Sequence, residues 1–328
     1  MPARDDDPTS GILRLRLPVL QAPMFLVSSA TLAAACCRAG LVGSFQLGNP
    51  TSTEELDEWL VELGRDRIAA DGRGDPFGPY CVNINAASLG RPAYDERFER
   101  CAAHGVPLVL SSTGDPTEIV ARVHAWGGRV IHDVTTMRFA ERAIAADVDG
   151  LMLTCAGAGG HTGTLSPFAF LPQVRQRFDG LVVLAGGIAD GAGIRGALSL
   201  GADMVCMGTR FVATRESVAP DGYKQMIAAS ETADVLETDA IAGLSANWLV
   251  PSIVANGLDP AALPRPTARF RPDLPDGVRA WKTVWSAGHS AGLIHDVPTV
   301  AELADRLVGE TGDGLVAGWQ QRIRDRLG

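Results

Sequence analysis

The stretch from Cys155 to Gly163 contains the residue best suited to acid–base chemistry. It reads Cys-Ala-Gly-Ala-Gly-Gly-His-Thr-Gly, so five of its nine residues are glycine or histidine. Glycine loses much conformational freedom on folding, and a loop so rich in it usually brings its backbone close to a ligand. The imidazole of His161 can act as a general base near neutral pH. We therefore predict that His161 contacts the substrate; the alternative is a surface imidazole on a flexible turn.

Two glycine-containing segments further along the chain predict a phosphate site. Gly186 and Gly187 follow an apolar run that ends at Ala185, and Gly208 and Thr209 follow the next apolar run. Glycine lets a phosphate approach backbone N–H groups without a Cβ in the way. Two tight turns would contain the same residues, but the pairing of the two segments favours phosphate binding.

A third glycine cluster has the spacing of a dinucleotide-binding motif. Gly191, Gly193 and Gly196 satisfy G-x-G-x-x-G. That motif functions in the tight turn directly after a strand, whereas these glycines follow Asp190, a residue type that often caps the start of a helix. We interpret them as helix-packing glycines and not as a nicotinamide site.

The elements that must position these residues are β-rich segments that alternate with amphipathic or alanine-rich helical segments, as in a parallel sheet built from βα units. We predict eight strands: Val19 to Met24, Leu41 to Gln46, Tyr80 to Asn85, Leu108 to Ser112, Arg129 to Thr135, Gly150 to Cys155, Leu181 to Ala185 and Asp203 to Met207. Eight strands favour an α/β fold of the closed (β/α)₈ TIM-barrel type over a doubly wound sheet. In such barrels the chemistry lies at the carboxyl ends of the strands, where the His161 loop and the phosphate glycines fall.

Helix signals are clearest on either side of Trp126. Asp115 and a following proline supply an N-cap and a first-turn proline, and two glycines follow Trp126, so a helix is predicted from Thr117 to Trp126. Near the carboxyl terminus, a final helix from about Thr299 to Val308 is expected to close the ring of helices.

The domain organisation is predicted from where the βα rhythm fails. Between residues 214 and 280, helical pieces and proline-rich stretches replace it. We therefore expect residues 1–213 and 281–328 to form one barrel, and residues 214–280 to form a mainly helical insertion that covers its mouth.

Composition narrows the classes of function. Acidic residues outnumber basic ones by 38 to 29, for a net charge of −9, and no dense cluster of Lys and Arg is present, so nucleic acid is not an expected partner. The acidic start of the chain, residues 1–7, is unlike a signal peptide, and no early stretch is long enough to span a membrane. We expect a cytoplasmic protein with a small-molecule substrate.

The six cysteines lack the C-x-x-C spacing of a zinc or redox site, and a chain of this size does not need disulfides. We expect free thiols. The six histidines include no H-E-x-x-H pair, so no metal is assigned.

Several motifs together resemble the nitronate monooxygenase family, formerly called 2-nitropropane dioxygenases, whose members are FMN-dependent barrels. The similarity runs nearly end to end, through Gln21-Ala22-Pro23-Met24, Val82-Asn83, Gly159-Gly160-His161, Ala185-Gly186-Gly187-Ile188, Met207-Gly208-Thr209-Arg210-Phe211 and Trp285-Ser286-Ala287-Gly288. Each motif alone is weak, and the combination is specific.

The resemblance implies a set of flavin-binding residues and a reaction. We assign to cofactor binding Ala22, Pro23, Met24, Asn83, Asp133, Thr154, Gly159, Gly160, Gly186, Gly187, Cys206, Met207, Gly208 and Thr209. The phosphate is expected near Gly187, Gly208 and Thr209. The implied reaction is FMN-dependent oxidation of alkyl nitronates, and of nitroalkanes where they are accepted, by O₂ to a carbonyl compound and nitrite. His161 is implied either as the base that deprotonates the carbon bearing the nitro group or as the group that stabilises the nitronate anion.

The sequence also departs from the family at positions near the expected pocket. Asp133 stands where some members have lysine, Thr154 where others have Gln or Asp, Gly157 where Glu is common, and His289 where another residue is usual. Asp133 and His289 are either pocket residues or solvated loop residues.

Three further points stay open at this level. Trp248 and Trp285 could wall the pocket, although a core position is the more common one for tryptophan. A flavin-dependent NAD(P)H enoyl-thioester or quinone reductase would share the Gly-Gly-His loop and the phosphate glycines. A non-catalytic flavin-binding barrel, or a non-redox barrel that binds a phosphate ligand, would share them as well.

Overall fold

Eight parallel strands form a closed barrel in the computed structural model, which describes residue 12 and residues 14–268 and 272–327. In chain order the strands are β1 (Val19–Gln21), β2 (Gly43–Gln46), β3 (Tyr80–Asn85), β4 (Leu108–Ser112), β5 (Arg129–Val134), β6 (Gly150–Thr154), the short β7 (Gly160–His161) outside the barrel, β8 (Leu181–Ala185) and β9 (Met204–Met207). The barrel strands are hydrogen-bonded in the order β1-β9-β8-β6-β5-β4-β3-β2. A parallel bridge between Leu20 and Val42 joins the first and last strands of that order and closes the ring. The predicted TIM barrel is therefore confirmed against the doubly wound sheet.

Helices surround the barrel, and two more lie in the described part of residues 214–280. They are α1 (Ala30–Arg38), α2 (Thr53–Arg73), α3 (Pro92–Ala103), α4 (Thr117–Ala125), α5 (Met137–Ala145), α6 (Pro167–Arg175), α7 (Gly191–Leu200), α8 (Thr209–Val212), α9 (Asp221–Ala228), α10 (Val250–Ala255), α11 (Val300–Thr311) and α12 (Asp313–Leu327). Helix α2 shows why they form: Ser52 caps its first turn, and Leu56, Leu60 and Leu63 recur on one face and are buried.

The core lies inside the barrel and between the barrel and its helices. All five residues of β8 are buried, as expected for a parallel strand that is covered on both faces. Close backbone packing also contributes, because a Cβ at Gly43 of β2 would collide with the carbonyl group of Ala33 on α1. This packing fixes the ends of the strands, and the loops that follow them converge on one face of the barrel.

The insertion contributes a small antiparallel sheet that the sequence did not predict. Strands β10 (Val235–Thr238) and β11 (Ala246–Leu249) pair with each other, and β11 also pairs with β7. In this register Ala246 lies opposite His161, and Asn247 lies opposite Gly160. The His161 loop is therefore held by sheet pairing and is not a free turn.

Several predicted boundaries differ by a few residues. The first strand ends at Gln21, so residues 22–24 form a loop, and the final predicted helix extends to Thr311 and is followed by α12. Helix α4 begins at Thr117 as predicted, but Pro116 and not Asp115 is its N-cap residue. The Asp115 carboxylate, one residue earlier, accepts a hydrogen bond from the Thr117 N–H at 2.9 Å.

The G-x-G-x-x-G cluster lies in α7, and the interpretation of it as helix packing is confirmed. The Asp190 side chain caps this helix by accepting from the Gly193 N–H at 2.7 Å. Gly191 packs against Glu310 of α11 so closely that a Cβ there would collide with it. Close packing therefore explains Gly191, and a Cβ on Gly193 would lie 3.1 Å from Ile188, whereas a Cβ on Gly196 would meet no protein atom within 4 Å.

The remaining global expectations concern thiols, metals and membranes. All six cysteines are buried free thiols, as predicted. In the part of the chain that the structure describes, no His, Cys, Asp and Glu side chains cluster as a metal site would need, and no helix has the length and apolar character required to cross a bilayer. The acidic residues 1–7 lie outside the described residues.

Candidate active site

A cavity of about 890 Å³ opens at the carboxyl ends of the barrel strands. Every residue that the sequence analysis assigned to catalysis or to cofactor binding lines this cavity, with one exception: the lining includes Ala22, Pro23, Met24, Asn83, Asp133, Thr154, Gly159, Gly160, His161, Gly186, Gly187, Cys206, Gly208 and Thr209. Met207 is the exception, because its side chain is fully buried in the core. The Met207 carbonyl instead accepts a hydrogen bond from the Ala22 N–H at 3.0 Å, which ties β9 to the loop after β1.

The glycines after β8 and β9 leave backbone amides open to the cavity. Gly187 has φ +72°, and a Cβ built on it would meet no protein atom within 4 Å. In the described part of the chain, the N–H groups of Gly187, Gly208 and Thr209 donate to no backbone acceptor. Amides of this kind bind anions, so the residues present fit the phosphate group of a flavin mononucleotide.

The loop that carries His161 is packed too closely to tolerate larger residues. A Cβ on Gly159 would lie 2.8 Å from the Gly288 nitrogen, and Gly160 has φ +70°. The Asn247 side chain donates from Nδ2 to the Ala158 carbonyl at 2.7 Å, which fixes the loop to β11. The glycines therefore allow the backbone of this loop to lie close to neighbouring backbone and to the cavity.

The imidazole of His161 faces the cavity and packs against one aromatic side chain. Its ring centroid lies 5.1 Å from that of Trp281, with the planes at 84°. No hydrogen bond to a ring nitrogen of His161 is present among the described residues. Desolvation by the surrounding protein lowers the pKa of His161 below its usual 6.5, although the ring remains accessible through the cavity. The neutral form, which can accept a proton, is therefore favoured at neutral pH.

Asp133 and Thr154 form a polar pair on the cavity wall. The Thr154 hydroxyl donates to the Asp133 carboxylate at 2.5 Å. Burial raises the pKa of Asp133 to about 6, and the Thr154 hydrogen bond offsets part of this rise. Where some family members have lysine, this chain therefore has a carboxyl group on the cavity wall that titrates at mildly acidic pH.

The loop after β1 and the Asn83 side chain form the opposite wall. Ser28 accepts hydrogen bonds from the Met24 N–H and from Gln21 Nε2, each at 2.9 Å. Asn83 donates from Nδ2 to the Leu110 carbonyl at 2.8 Å, which leaves its amide oxygen as the group available to a ligand. These hydrogen bonds fix the loop after β1 and the Asn83 side chain in place.

The remaining candidates from the sequence lie outside the cavity lining. Trp248 is fully buried in the core, and Trp285 stacks on Tyr223 at 5.1 Å. His289 is exposed and packs against Gly157, where a Cβ would lie 3.0 Å from its Nδ1. Neither tryptophan walls the cavity directly, and His289 does not reach it.

Many of the side chains that line the cavity were not predicted from the sequence. They include Phe25, His132, Arg142 and Trp281. Phe25 directly follows the Ala-Pro-Met motif, so its place next to that motif was a usable signal. Trp281 offered none, because it follows a proline-rich stretch with no periodic pattern.

Residues 77–310 match the nitronate monooxygenase family. The chain belongs to this family. Members of the family and its structural neighbours are flavoenzymes, so the protein is an oxidoreductase. The match includes the His161 loop and both glycine segments that are predicted to bind phosphate.

Curated relatives in and around the nitronate monooxygenase family carry two kinds of name. A nitronate monooxygenase of Pseudomonas aeruginosa is 29% identical over 358 residues, covering 93% of this chain and 99% of that protein. A (3aS,4S,5R,7aS)-5-hydroxy-7a-methyl-1-oxo-octahydro-1H-indene-4-carboxyl-CoA dehydrogenase of Mycobacterium tuberculosis is 31% identical over 223 residues, covering 66% of this chain and 59% of that protein. The second match therefore spans less than two thirds of that relative.

Solved structures show the same barrel. FabK from Thermotoga maritima superposes with a TM-score of 0.72 at 26% identity, covering 98% of this chain and 99% of that one. Nitroalkane oxidase from Streptomyces ansochromogenes superposes with a TM-score of 0.71 at 24% identity, covering 94% and 99%, and this likeness concerns the fold alone.

Proposed function

We propose that this member of the nitronate monooxygenase family binds FMN and oxidises alkyl nitronates with O₂ to a carbonyl compound and nitrite, with nitroalkanes as further substrates. The observation that carries the proposal is that a neutral imidazole and an open set of backbone amides share one cavity. Bound FMN would supply the redox chemistry of the reaction. The residues of the chain supply binding, orientation and proton transfer.

The cofactor contacts in this proposal follow the walls of the cavity. The free amides of Gly187, Gly208 and Thr209 hold the phosphate, and Gly186 at φ +125° turns the backbone so that Gly187 faces the cavity. The remaining assigned contacts come from other residues that line the cavity: Ala22, Pro23, Met24, Asn83, Asp133, Thr154, Gly159, Gly160 and Cys206.

His161 acts on the substrate in one of two ways. As a neutral imidazole it can accept a proton from the carbon that bears a nitro group. Alternatively, its ring N–H can donate to an incoming nitronate oxygen. Both roles need a ring nitrogen without a protein partner, which is what the described residues show. Because the pKa of His161 is lowered, the base is already in its neutral form at neutral pH.

The domain boundaries are part of this proposal. Residues 1–213 and 281–328 form the FMN-binding barrel, and residues 214–280 form a cover over its mouth. Tyr223, Leu244 and Ser245 support this division, because all three belong to residues 214–280 and line the cavity. The cover would limit access of water to the reacting atoms.

A second candidate function is reduction of an enoyl thioester or a quinone with NAD(P)H. The name of the Mycobacterium tuberculosis relative, a carboxyl-CoA dehydrogenase, favours the thioester part of this candidate, since it names a CoA compound as the substrate of that protein. The cavity wall offers little to a polyphosphate ligand, because Arg142 is the one Lys or Arg among its described lining residues. A nitronate carries one negative charge and a polyphosphate ligand carries several, so a wall with one described Lys or Arg side chain favours the nitronate as the substrate.

One experiment separates the two functions. The purified protein is mixed anaerobically with an alkyl nitronate and, separately, with NADH and with NADPH, and the visible absorbance of the flavin is followed. Bleaching by the nitronate alone supports the proposal. Bleaching by a nicotinamide and not by the nitronate supports the reductase.

A further inference from the structure

Trp281 is the centre of an aromatic cluster at the mouth of the cavity. Besides its edge-to-face contact with His161, its ring lies 5.1 Å from Trp248 at a tilt of 43° and 6.5 Å from Phe25 at 87°. Trp248 is fully buried behind it. Trp281 is therefore fixed on one side by the core of the insertion and presents its other side to His161.

The backbone of Trp281 is held in an unfavourable conformation. Its φ is +60°, a left-handed value that a bulky residue adopts at a cost of about 1–2 kcal/mol. The turn around it maintains this value through hydrogen bonds from the Thr283 and Val284 N–H groups to the Arg279 carbonyl, at 2.9 and 3.1 Å. Strain that the surroundings enforce is a common feature of functional sites. Here it directs the indole toward the imidazole.

His161 depends on this contact because it lacks the usual means of orientation. A catalytic histidine is generally aligned by a carboxylate or carbonyl that accepts from its second ring nitrogen. The described residues provide no such acceptor for His161. The backbone is fixed by pairing between β7 and β11, so the remaining freedom is rotation of the side chain, and the contact with Trp281 opposes that rotation.

We infer that Trp281 is a positioning residue, whose indole fixes the imidazole of His161 in the orientation that faces the substrate and covers one side of a ring that is otherwise exposed. The effect on catalysis rests on the proposed function of His161. The positioning itself does not, because it can be measured without any substrate.

Charged groups on the neighbouring elements do not account for the lowered pKa of the His161 imidazole. Strand β11 carries no titratable side chain, Glu237 of β10 accepts a hydrogen bond from Ser245 at 2.6 Å, and Arg279 and Lys282 flank Trp281. Desolvation is the only cause that lowers the pKa of His161. Removal of the indole should therefore raise this pKa toward its usual value.

The test is an NMR titration of the histidine rings in the purified protein as isolated, with His161→Asn used to assign the His161 signal. In Trp281→Leu, we expect the pKa of His161 to rise toward 6.5 and ¹³C relaxation to show a more mobile ring. Trp281→Phe keeps an aromatic ring at the same place and should retain the wild-type pKa and ring order. Trp126→Leu is the matched control, since Trp126 packs against Phe98 and its indole donates to the Val106 carbonyl, outside the cavity.

Trp281→Gly provides a second variant in case the leucine variant folds poorly. Glycine adopts positive φ without strain, so this variant removes the indole and also relieves the backbone. An unchanged or further lowered pKa of His161 in both variants, with ring order intact, would overturn the inference. Failure of the wild type to oxidise nitronates would instead count against the proposed function and would leave this titration interpretable.

Discussion

Thr154 donates its hydroxyl hydrogen to Asp133 across the neighbouring strands β6 and β5, and the two oxygens lie 2.5 Å apart. Despite this hydrogen bond, burial raises the pKa of Asp133 to about 6. Both side chains line the cavity that we propose for FMN. The charge on this wall of the site therefore changes between mildly acidic and mildly alkaline pH.

Substitution Asp133→Asn should raise the reduction potential of the flavin-loaded protein at about pH 8, where the wild-type carboxylate is charged and disfavours an electron-rich reduced cofactor. At about pH 5 the wild-type carboxyl is protonated, so the two potentials should converge. Dye-coupled reduction at both pH values measures the difference.

The matched variant Thr154→Val keeps the shape of the wall and removes the donor. The Thr154 hydrogen bond lowers the pKa of Asp133, so its loss should raise that pKa. The reduction potential of Thr154→Val should therefore depart from that of Asp133→Asn only at a higher pH than the wild-type potential does. Equal potentials for wild type and Asp133→Asn at both pH values would show that Asp133 does not act on the cofactor.

Gly187→Val should weaken flavin binding while the barrel stays folded, because the added side chain projects into the space proposed for the phosphate. The backbone strain at φ +72° is a separate cost of about 1–2 kcal/mol. Gly74→Val controls for it, since exposed Gly74 has φ +71° and is likewise free of neighbours within 4 Å. Flavin content per chain is the measurement. Equal flavin content in the two variants would remove the loop after β8 from the site.

The cofactor released on denaturation should be FMN and not FAD. A single set of free amides, at Gly187, Gly208 and Thr209, matches one terminal phosphate. Chromatography of the supernatant after heat denaturation identifies the flavin. Release of FAD, or failure to bind any flavin on reconstitution, would contradict the assignment.

His161→Asn should lower turnover of a neutral nitroalkane by about 10²–10⁴, or about 3–5 kcal/mol of barrier, if His161 is the base. Oxidation of the pre-ionised nitronate should fall less, because no proton has to be removed. The lowered pKa of His161 also places the acidic limb of nitroalkane turnover below pH 6.5. Steady-state rates on both substrates across pH provide the measurement.

The control for that experiment is His295→Asn, since His295 is exposed and does not line the cavity. It should leave both rates unchanged. An equal loss on both substrates in His161→Asn would assign His161 to stabilisation of the anion, and no loss on either would remove it from the site.

Buried His132 should make the protein less stable as the pH falls. Burial lowers its pKa to about 4 from 6.5, so the unfolded chain takes up the proton more readily than the folded one. The free energy of unfolding should therefore decrease between pH 6.5 and about pH 4, by at most about 3 kcal/mol. His132→Asn can still bond to Ser111 but does not titrate, and it should lose this contribution. Urea unfolding of both proteins at several pH values tests this. The prediction would be refuted if the free energy of unfolding changed with pH equally in wild type and in His132→Asn.

The sequence by itself determined the barrel and the end of it at which the site lies. The alternation of β-rich and helical segments is a local property, and eight such strands have few ways to bury their faces other than by closing. Once the barrel is assigned, the glycines and His161 must come together, because they follow the ends of parallel strands.

Side-chain direction within the strands was decided only by the fold. Barrel strands are covered on both faces, so inward and outward positions are both largely apolar and the sequence of a strand such as β8 or β9 does not reveal which residues point inward. Cys206 lines the cavity and the adjacent Met207 points into the core, although the sequence motif treated them alike.

The environment of His161 also came only from tertiary structure. The two residues of β7 form a strand because β11 pairs with them from a distant part of the chain, and Trp281 reaches the imidazole through a turn with a positive φ. Desolvation by the surrounding protein lowers the pKa of His161, and burial raises the pKa of Asp133. Burial depends on all the elements that pack around a group, so it cannot be read from the residues next to that group in the chain.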